Sequence, residues 1–183
     1  MKTSGPVAPK REEKAAARQR FQEFLIGRIG SEPKAADFLT RHLLPALHAA
    51  PPRDETMVIA WFTKTFRAAF LEYVASHLAP DECARAWLAG SRISPPAEEA
   101  ALRAGVGHII DGLSPANTGV LRQIELGGAS LWAAGVILDL NAHVVWARLR
   151  NGRAECRARL VQFLWDCATP PAFAAEERMA VGE

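Results

Sequence analysis

The fold expected of this chain is decided by residues 130–149, SLWAAGVILDLNAHVVWARL. Two stretches of helical length and spacing lie on either side of the short segment Asp139-Leu140-Asn141. Two helices joined by a turn of about three residues form a helix-turn-helix. The sequence therefore predicts a helix from about Ser130 to Leu138, a tight turn, and a second helix from about Ala142.

Two further helices are predicted immediately upstream. One runs from about Ala97 to Asp111. Ser114 and Pro115 then supply an N-cap and a first-turn proline for a helix through Glu125, which the glycines at 127–128 close.

A hairpin competes with the helix after the turn. Asn151-Gly152 stands between two stretches, residues 144–150 and 153–160, in which apolar and polar side chains alternate. That arrangement is typical of a β-hairpin. The run from Leu160 to Cys167 instead keeps helical spacing until Thr169-Pro170. The run favours a helix, and the hairpin stays open as the alternative.

The first half also reads as helical. A helix from Arg11 ends near Ile29, and Ser31 with Pro33 opens a second helix that Pro45 is expected to kink or end early. Asp54 is expected to cap a third helix that continues to about Leu78. We therefore expect an all-α protein of two small helical domains, a three-helix bundle and a helix-turn-helix domain, joined by a linker.

The expected organisation along the chain has five parts. Residues 1–18 form a disordered basic leader, although helix-favouring composition begins at Arg11. Residues 19–79 form the first domain, 80–96 the linker with a short helix that ends at Gly90, 97–168 the second domain and 169–183 a tail.

Composition excludes several classes of protein. With 49% hydrophobic and 23% charged residues, the chain is too apolar to be disordered throughout. It lacks an apolar run long enough for a membrane span and an N-terminal signal peptide, so we expect a cytoplasmic protein. The three cysteines lack the spacing of a zinc site and are interpreted as reduced thiols. No catalytic, metal or cofactor motif is present, and we expect neither an enzyme nor a cofactor.

Arginines concentrate between residues 148 and 159. Five arginines stand there with Glu155 as the only acidic residue. Such a segment fits a polyanionic partner, and equally a solvated helix face.

Residues 113–153 contain a series of short motifs: Leu113-Ser114, Leu121, Gly128-Ala129-Ser130, Ala134, Leu138-Asp139-Leu140-Asn141, Val145-Trp146-Ala147-Arg148-Leu149 and Asn151-Gly152-Arg153. In order, and in spacing without a gap, these motifs resemble the domain of extracytoplasmic-function (ECF) sigma factors that binds the promoter −35 element. The family pattern has Lys and Ser where this chain has Trp146 and Ala147.

The first half is similar to the family's other domain, which binds core RNA polymerase and melts the −10 element. The similar stretches are residues 30–43, GSEPKAADFLTRHL, and residues 60–73, AWFTKTFRAAFLEY. The resemblance implies a sigma factor that directs core RNA polymerase to promoter double-stranded DNA, with no membrane partner. It leaves open whether an anti-sigma factor is a further partner.

The resemblance also implies three groups of site residues. The −35 contacts would come from Asn141, His143, Trp146, Arg148, Arg150, Arg153 and Arg157. The −10 contacts would come from Lys64, Arg67 and Glu72. Core polymerase would be bound by Asp37, Leu39, Thr40 and Leu43.

Some positions depart from the family. Ala68 stands for an Asn, and Ala75-Ser76 for arginines. These losses motivate an alternative function, that of a degenerate sigma-like protein that acts as a decoy for an anti-sigma factor or another regulator. A helical protein-interaction module is a third reading.

Overall fold

The computed structural model describes residues 11–77 and 95–169, and every regular element in them is helical. The all-α prediction is confirmed. The helices are α1 (Arg11–Ile29), α2 (Glu32–Asp37), α3 (Leu44–Ala49), α4 (Val58–His77), α5 (Pro95–Asp111), α6 (Pro115–Leu121), α7 (Leu131–Leu138) and α8 (Ala142–Ala168). One π-helical segment, Phe38–Leu43, joins α2 to α3, and another, Arg122–Leu126, follows α6.

The prediction of a disordered leader is wrong for residues 11–18, which belong to α1, and residues 1–10 lie outside the described residues. This helix is held against the far end of α8. Arg18 donates a hydrogen bond to the carbonyl of Thr169, and Gln22 donates one to the carbonyl of Cys167 at 2.7 Å. Sequence composition cannot show such contacts, which fix a helix that is otherwise mostly polar.

Pro45 does not end the second helix, which continues from α2 through the π-helical segment into α3. A proline inside an α-helix lacks an N–H donor and clashes with the carbonyl four residues earlier. The wider π-helical turn lies directly before Pro45 and changes the spacing of that carbonyl.

Asp54 is not the N-cap of α4, because the helix begins only at Val58. The amide of Val58 instead donates to Oε2 of Glu125, from the second half of the chain, at 2.9 Å. A carboxylate at this position satisfies a free amide and complements the positive end of the helix. The N-terminus of α4 is therefore capped by a residue that is distant in the sequence.

The hairpin alternative is wrong, because α8 is one helix through Asn151-Gly152. Gly152 is buried where α8 crosses α6. A Cβ atom there would overlap Cδ1 of Leu121 and lie 3.1 Å from Cβ of Asn117. The glycine permits close packing of two helices and has no role in a turn.

The two halves share one hydrophobic core. Helix α8 packs against every other helix among the described residues. Buried side chains of both halves, such as Phe66 in α4, Ile110 in α5 and Leu160 in α8, belong to one cluster. Two separate domains are therefore not confirmed. Of the expected linker, residues 80–94 and the short helix lie outside the described residues, and Pro95 begins α5.

Within residues 11–77 and 95–169, no helix combines the length and the apolar character that crossing a membrane requires.

Candidate nucleic-acid interface

Helices α7 and α8 are joined by the tight turn Asp139-Leu140-Asn141. Asp139 adopts a left-handed conformation, with φ 52° and ψ 51°. The amide of Leu140 donates to the carbonyl of Gly135 at 2.9 Å. A Cβ atom on Gly135 would lie only 2.9 Å from the carbonyl oxygen of Leu140, so a larger residue would force the two helices apart.

Both helices of the motif begin with a side-chain cap. The hydroxyl of Ser130 accepts a hydrogen bond from the amide of Ala133 at 3.1 Å, and Oδ1 of Asn141 accepts one from Val144 at 3.0 Å. Such caps satisfy amides that the helix leaves without a partner. Asn141, predicted as a DNA contact, is exposed, and its side-chain oxygen holds the start of α8.

The start of α8 presents one outward face. His143, Trp146, Ala147 and Arg150 are exposed, while Val145 and Leu149 are buried beneath them. Arg148 is half-buried. The structure therefore brings His143, Trp146 and Arg150 together, as the sequence predicted. An arginine can form a bidentate contact with guanine, and an aromatic ring can pack on a thymine methyl group.

Arg153 does not belong to this surface, which corrects its prediction as a DNA contact. Its side chain is 4% exposed, and Nε lies 2.7 Å from Oε1 of a fully buried Glu125. Nη1 donates to the carbonyl of Asp54 at 2.8 Å. A phosphate could reach this guanidinium only if the buried ion pair were first broken.

Arg157 also faces the first half of the chain. Its side chain is 17% exposed, and Nη2 lies 3.9 Å from Oδ1 of Asp54. Arg159, one helical turn after Glu155, donates a hydrogen bond to the carbonyl of Gly112 at 2.7 Å. The arginines between 148 and 159 therefore do not form one basic surface.

Glu125 is the site residue that sequence reasoning missed. Its two oxygens bind Val58 and Arg153, which joins the start of α4, the second π-helical segment and α8. One signal was available. Glu125 follows the buried Leu121 by four residues, so a helix places the carboxylate on the apolar side, where it needs a partner.

The predicted −10 residues Lys64, Arg67 and Glu72 are exposed on α4. Lys64 and Arg67 line a cavity of about 500 Å³ together with Arg103 of α5. The carboxylates of Glu99 and Glu125 line the same cavity, so its charges are mixed and do not by themselves select an anionic ligand.

The predicted polymerase contacts divide into two pairs. Leu39 and Leu43 are 1% and 0% exposed, so they fill the core and do not form an outward apolar ridge. Asp37 and Thr40 are half-buried. Asp37 forms an ion pair with Arg41 at 3.0 Å, and the Thr40 hydroxyl donates to the carbonyl of Ala36 at 2.9 Å.

Cys156 and Cys167 are free and buried. Burial raises the pKa of both thiols to about 12, so neither is a ready nucleophile. Cys83 lies outside the described residues. Among the residues that are described, the structure brings no three His, Cys, Asp or Glu side chains together in a way that could hold a metal ion.

Comparison of the chain with protein-family models, with curated proteins and with solved structures finds no match.

Proposed function

We propose that this protein is a divergent sigma factor of the ECF type, which binds core RNA polymerase and directs it to promoters. In this proposal α8 enters the major groove of the −35 element, and α7 packs against α8 and holds it in place. His143, Trp146 and Arg150 contact base edges, while Arg148 contacts the phosphate backbone.

The observation that carries the proposal is the register of the helix-turn-helix. The left-handed turn falls at Asp139, and the capped second helix begins directly after Asn141. These are the positions at which the sequence resembles the sigma-factor motif. His143, Trp146 and Arg150, which a recognition helix would present to base edges, are exposed on α8.

The shared core adds a requirement to this function. The −35 and −10 elements are centred about 25 base pairs apart, which is roughly 85 Å of B-DNA at about 3.4 Å per base pair. A compact chain of this length has a radius of gyration of about 16 Å, or a diameter of about 40 Å. The compact form can therefore contact only one element at a time, and initiation requires the two halves to separate.

Reconstituted transcription tests the proposal. Purified protein and bacterial core RNA polymerase are combined on promoter DNA selected from the source genome. The test variant is Trp146→Ala/Arg150→Ala, and the control is Trp165→Ala/Arg159→Ala, the same residue types at the other end of α8. We expect transcripts that require the protein, a loss of at least about tenfold in the test variant and little change in the control. Absence of core binding would contradict the proposal.

A second candidate function is that of a sigma-like decoy that binds a regulator and does not initiate transcription. The buried Glu125–Arg153 pair favours it, because this pair and its bonds to Asp54 and Val58 oppose separation of the halves. A decoy can act in the compact form. Capture of core RNA polymerase by the purified protein separates the two functions, since a working sigma factor binds the core enzyme and the decoy does not.

A further inference from the structure

Helix α7 has an apolar face that no part of the described chain covers. Trp132, Val136 and Ile137 are 78%, 63% and 59% exposed, and Leu131 at the start of the helix is 41% exposed. The opposite side of α7, which includes Ala134 and Gly135, is buried. The helix is thus apolar on both sides.

A helix that is hydrophobic all round is normally buried on all sides. Trp132, Val136 and Ile137 present on the order of 400 Å² of apolar surface on this face, if a large side chain contributes up to about 150–250 Å². Leu131 does not add to the face, because it lies three and four residues before Ala134 and Gly135 and so on their side of the helix. The largest apolar patch on a typical monomer is about 300–600 Å², and such patches are often functional. The outward face of a helix that crosses DNA would need polar or basic groups for phosphate oxygens, and this face has none.

We infer that a second copy of this chain covers the outward face of α7. No charged residue lies between Leu131 and Leu138, so two copies can meet about a twofold axis without bringing like charges together. Ala133 lies between the larger side chains and leaves space for a side chain of the other copy. Residues 131–138 offer no charged side chain to which a partner of opposite charge could bind.

The ends of α7 favour an antiparallel pair. Asp139 is exposed directly after the last residue of the helix. In an antiparallel arrangement, Asp139 of one copy lies beside the N-terminus of α7 in the other. The helix dipole and the free amide groups favour a negative charge there.

The size of the interface places the dimer among weak complexes. Two such faces bury on the order of 800 Å² from the three side chains of each copy, and the rim residues bring the total near the roughly 1,000 Å² of a specific interface. Interfaces at this lower limit belong to weak complexes. We therefore expect a reversible dimer with a Kd in the micromolar range. This inference does not rest on the proposed function, because a protein without DNA-binding activity would dimerise in the same way.

Sedimentation velocity of the full chain between about 1 and 200 µM tests the inference. The test variant is Trp132→Arg, and the matched control is Trp165→Arg on α8, where the side chain is 54% exposed. Circular dichroism and Tm establish that each variant is folded. Val136→Lys is the second test variant if Trp132→Arg does not fold.

We expect the sedimentation coefficient of the wild type and of Trp165→Arg to rise with concentration, and that of Trp132→Arg to stay at the monomer value. Two results would overturn the inference. One is a wild type that remains monomeric to about 200 µM, and the other is a dimer that Trp132→Arg and Val136→Lys leave unchanged.

Discussion

The start of α8, residues 142–150, and the rest of the same helix face different surroundings. At the start, His143, Trp146 and Arg150 point away from the protein. Beyond residue 150, Arg153, Cys156 and Leu160 are buried inside the protein. The arginines of this one helix therefore differ in exposure, because their surroundings change along the helix. The comparison teaches that charge along a sequence does not identify a nucleic-acid surface until the burial of each residue is known.

The largest effect on stability is expected from Glu125→Ala, which removes the partner of Arg153 in the buried part of α8. The substitution leaves the Arg153 guanidinium buried without its carboxylate and removes the cap of Val58. We expect the free energy of unfolding to fall by about 3–5 kcal/mol, as measured by urea denaturation.

The control for this prediction is the double variant Glu125→Leu/Arg153→Met, which replaces the pair by apolar side chains. It should recover much of the loss, because the uncompensated buried charge is absent. A loss below about 1 kcal/mol in Glu125→Ala would contradict the account of the buried pair.

A smaller effect is expected at the boundary between the two parts of α8, where Gly152→Ala adds a methyl group. That methyl group would overlap Leu121 and push α6 away from α8. We expect a loss of stability of about 1–3 kcal/mol by urea denaturation.

Gly105→Ala in α5 is the matched control, since its new Cβ would meet only Phe21 Cδ2 at 3.9 Å. This substitution should be neutral or stabilise the helix by up to about 1 kcal/mol. Equal effects of the two substitutions would show that helix propensity, and not close packing, decides the result at Gly152.

The smallest effect is expected from Glu155, which lies beyond the boundary. Burial acts to raise its pKa, but the hydrogen bond from Asn117 at 3.0 Å, the charge of Arg159 and the bonds from Ser114 outweigh it. The pKa is thus below its ordinary value of 4.5. A depressed carboxyl pKa stabilises the fold above the unfolded-state pKa, and this contribution is lost as the pH falls through the folded-state value.

Glu155→Gln should therefore lose less stability than the wild type when the pH falls below about 4.5. We expect the difference between the two losses to be less than about 1 kcal/mol. Urea denaturation between about pH 3 and 6 measures this difference, and the control is Glu23→Gln, at an exposed position. An identical pH dependence in wild type and Glu155→Gln would refute the prediction.

The sequence predicted the helix-turn-helix because its signals are local. The residues that form the turn and the two helices lie within twenty positions of one another, and their spacing fixes which side chains point outward. Burial of Arg153 and Glu125 is different in kind, because these residues meet across 28 positions and a third partner comes from Asp54. The shared core and the cap of α4 likewise depend on how the two halves pack. Local pattern can place Glu125 on the apolar side of a helix, but it contains no information about the partners that such contacts involve.

DNA recognition by the start of α8 is tested most directly by selecting binding sites from random DNA duplexes with the wild-type protein. Fluorescence anisotropy then measures the affinity for the selected duplex. We predict that one sequence is enriched and that Trp146→Ala/Arg150→Ala weakens its binding by at least about tenfold. Trp165→Ala/Arg159→Ala should bind as the wild type does, with Tm measured for both variants. No enriched sequence, or an equal loss in the two double variants, would contradict the assignment of DNA recognition to the start of α8.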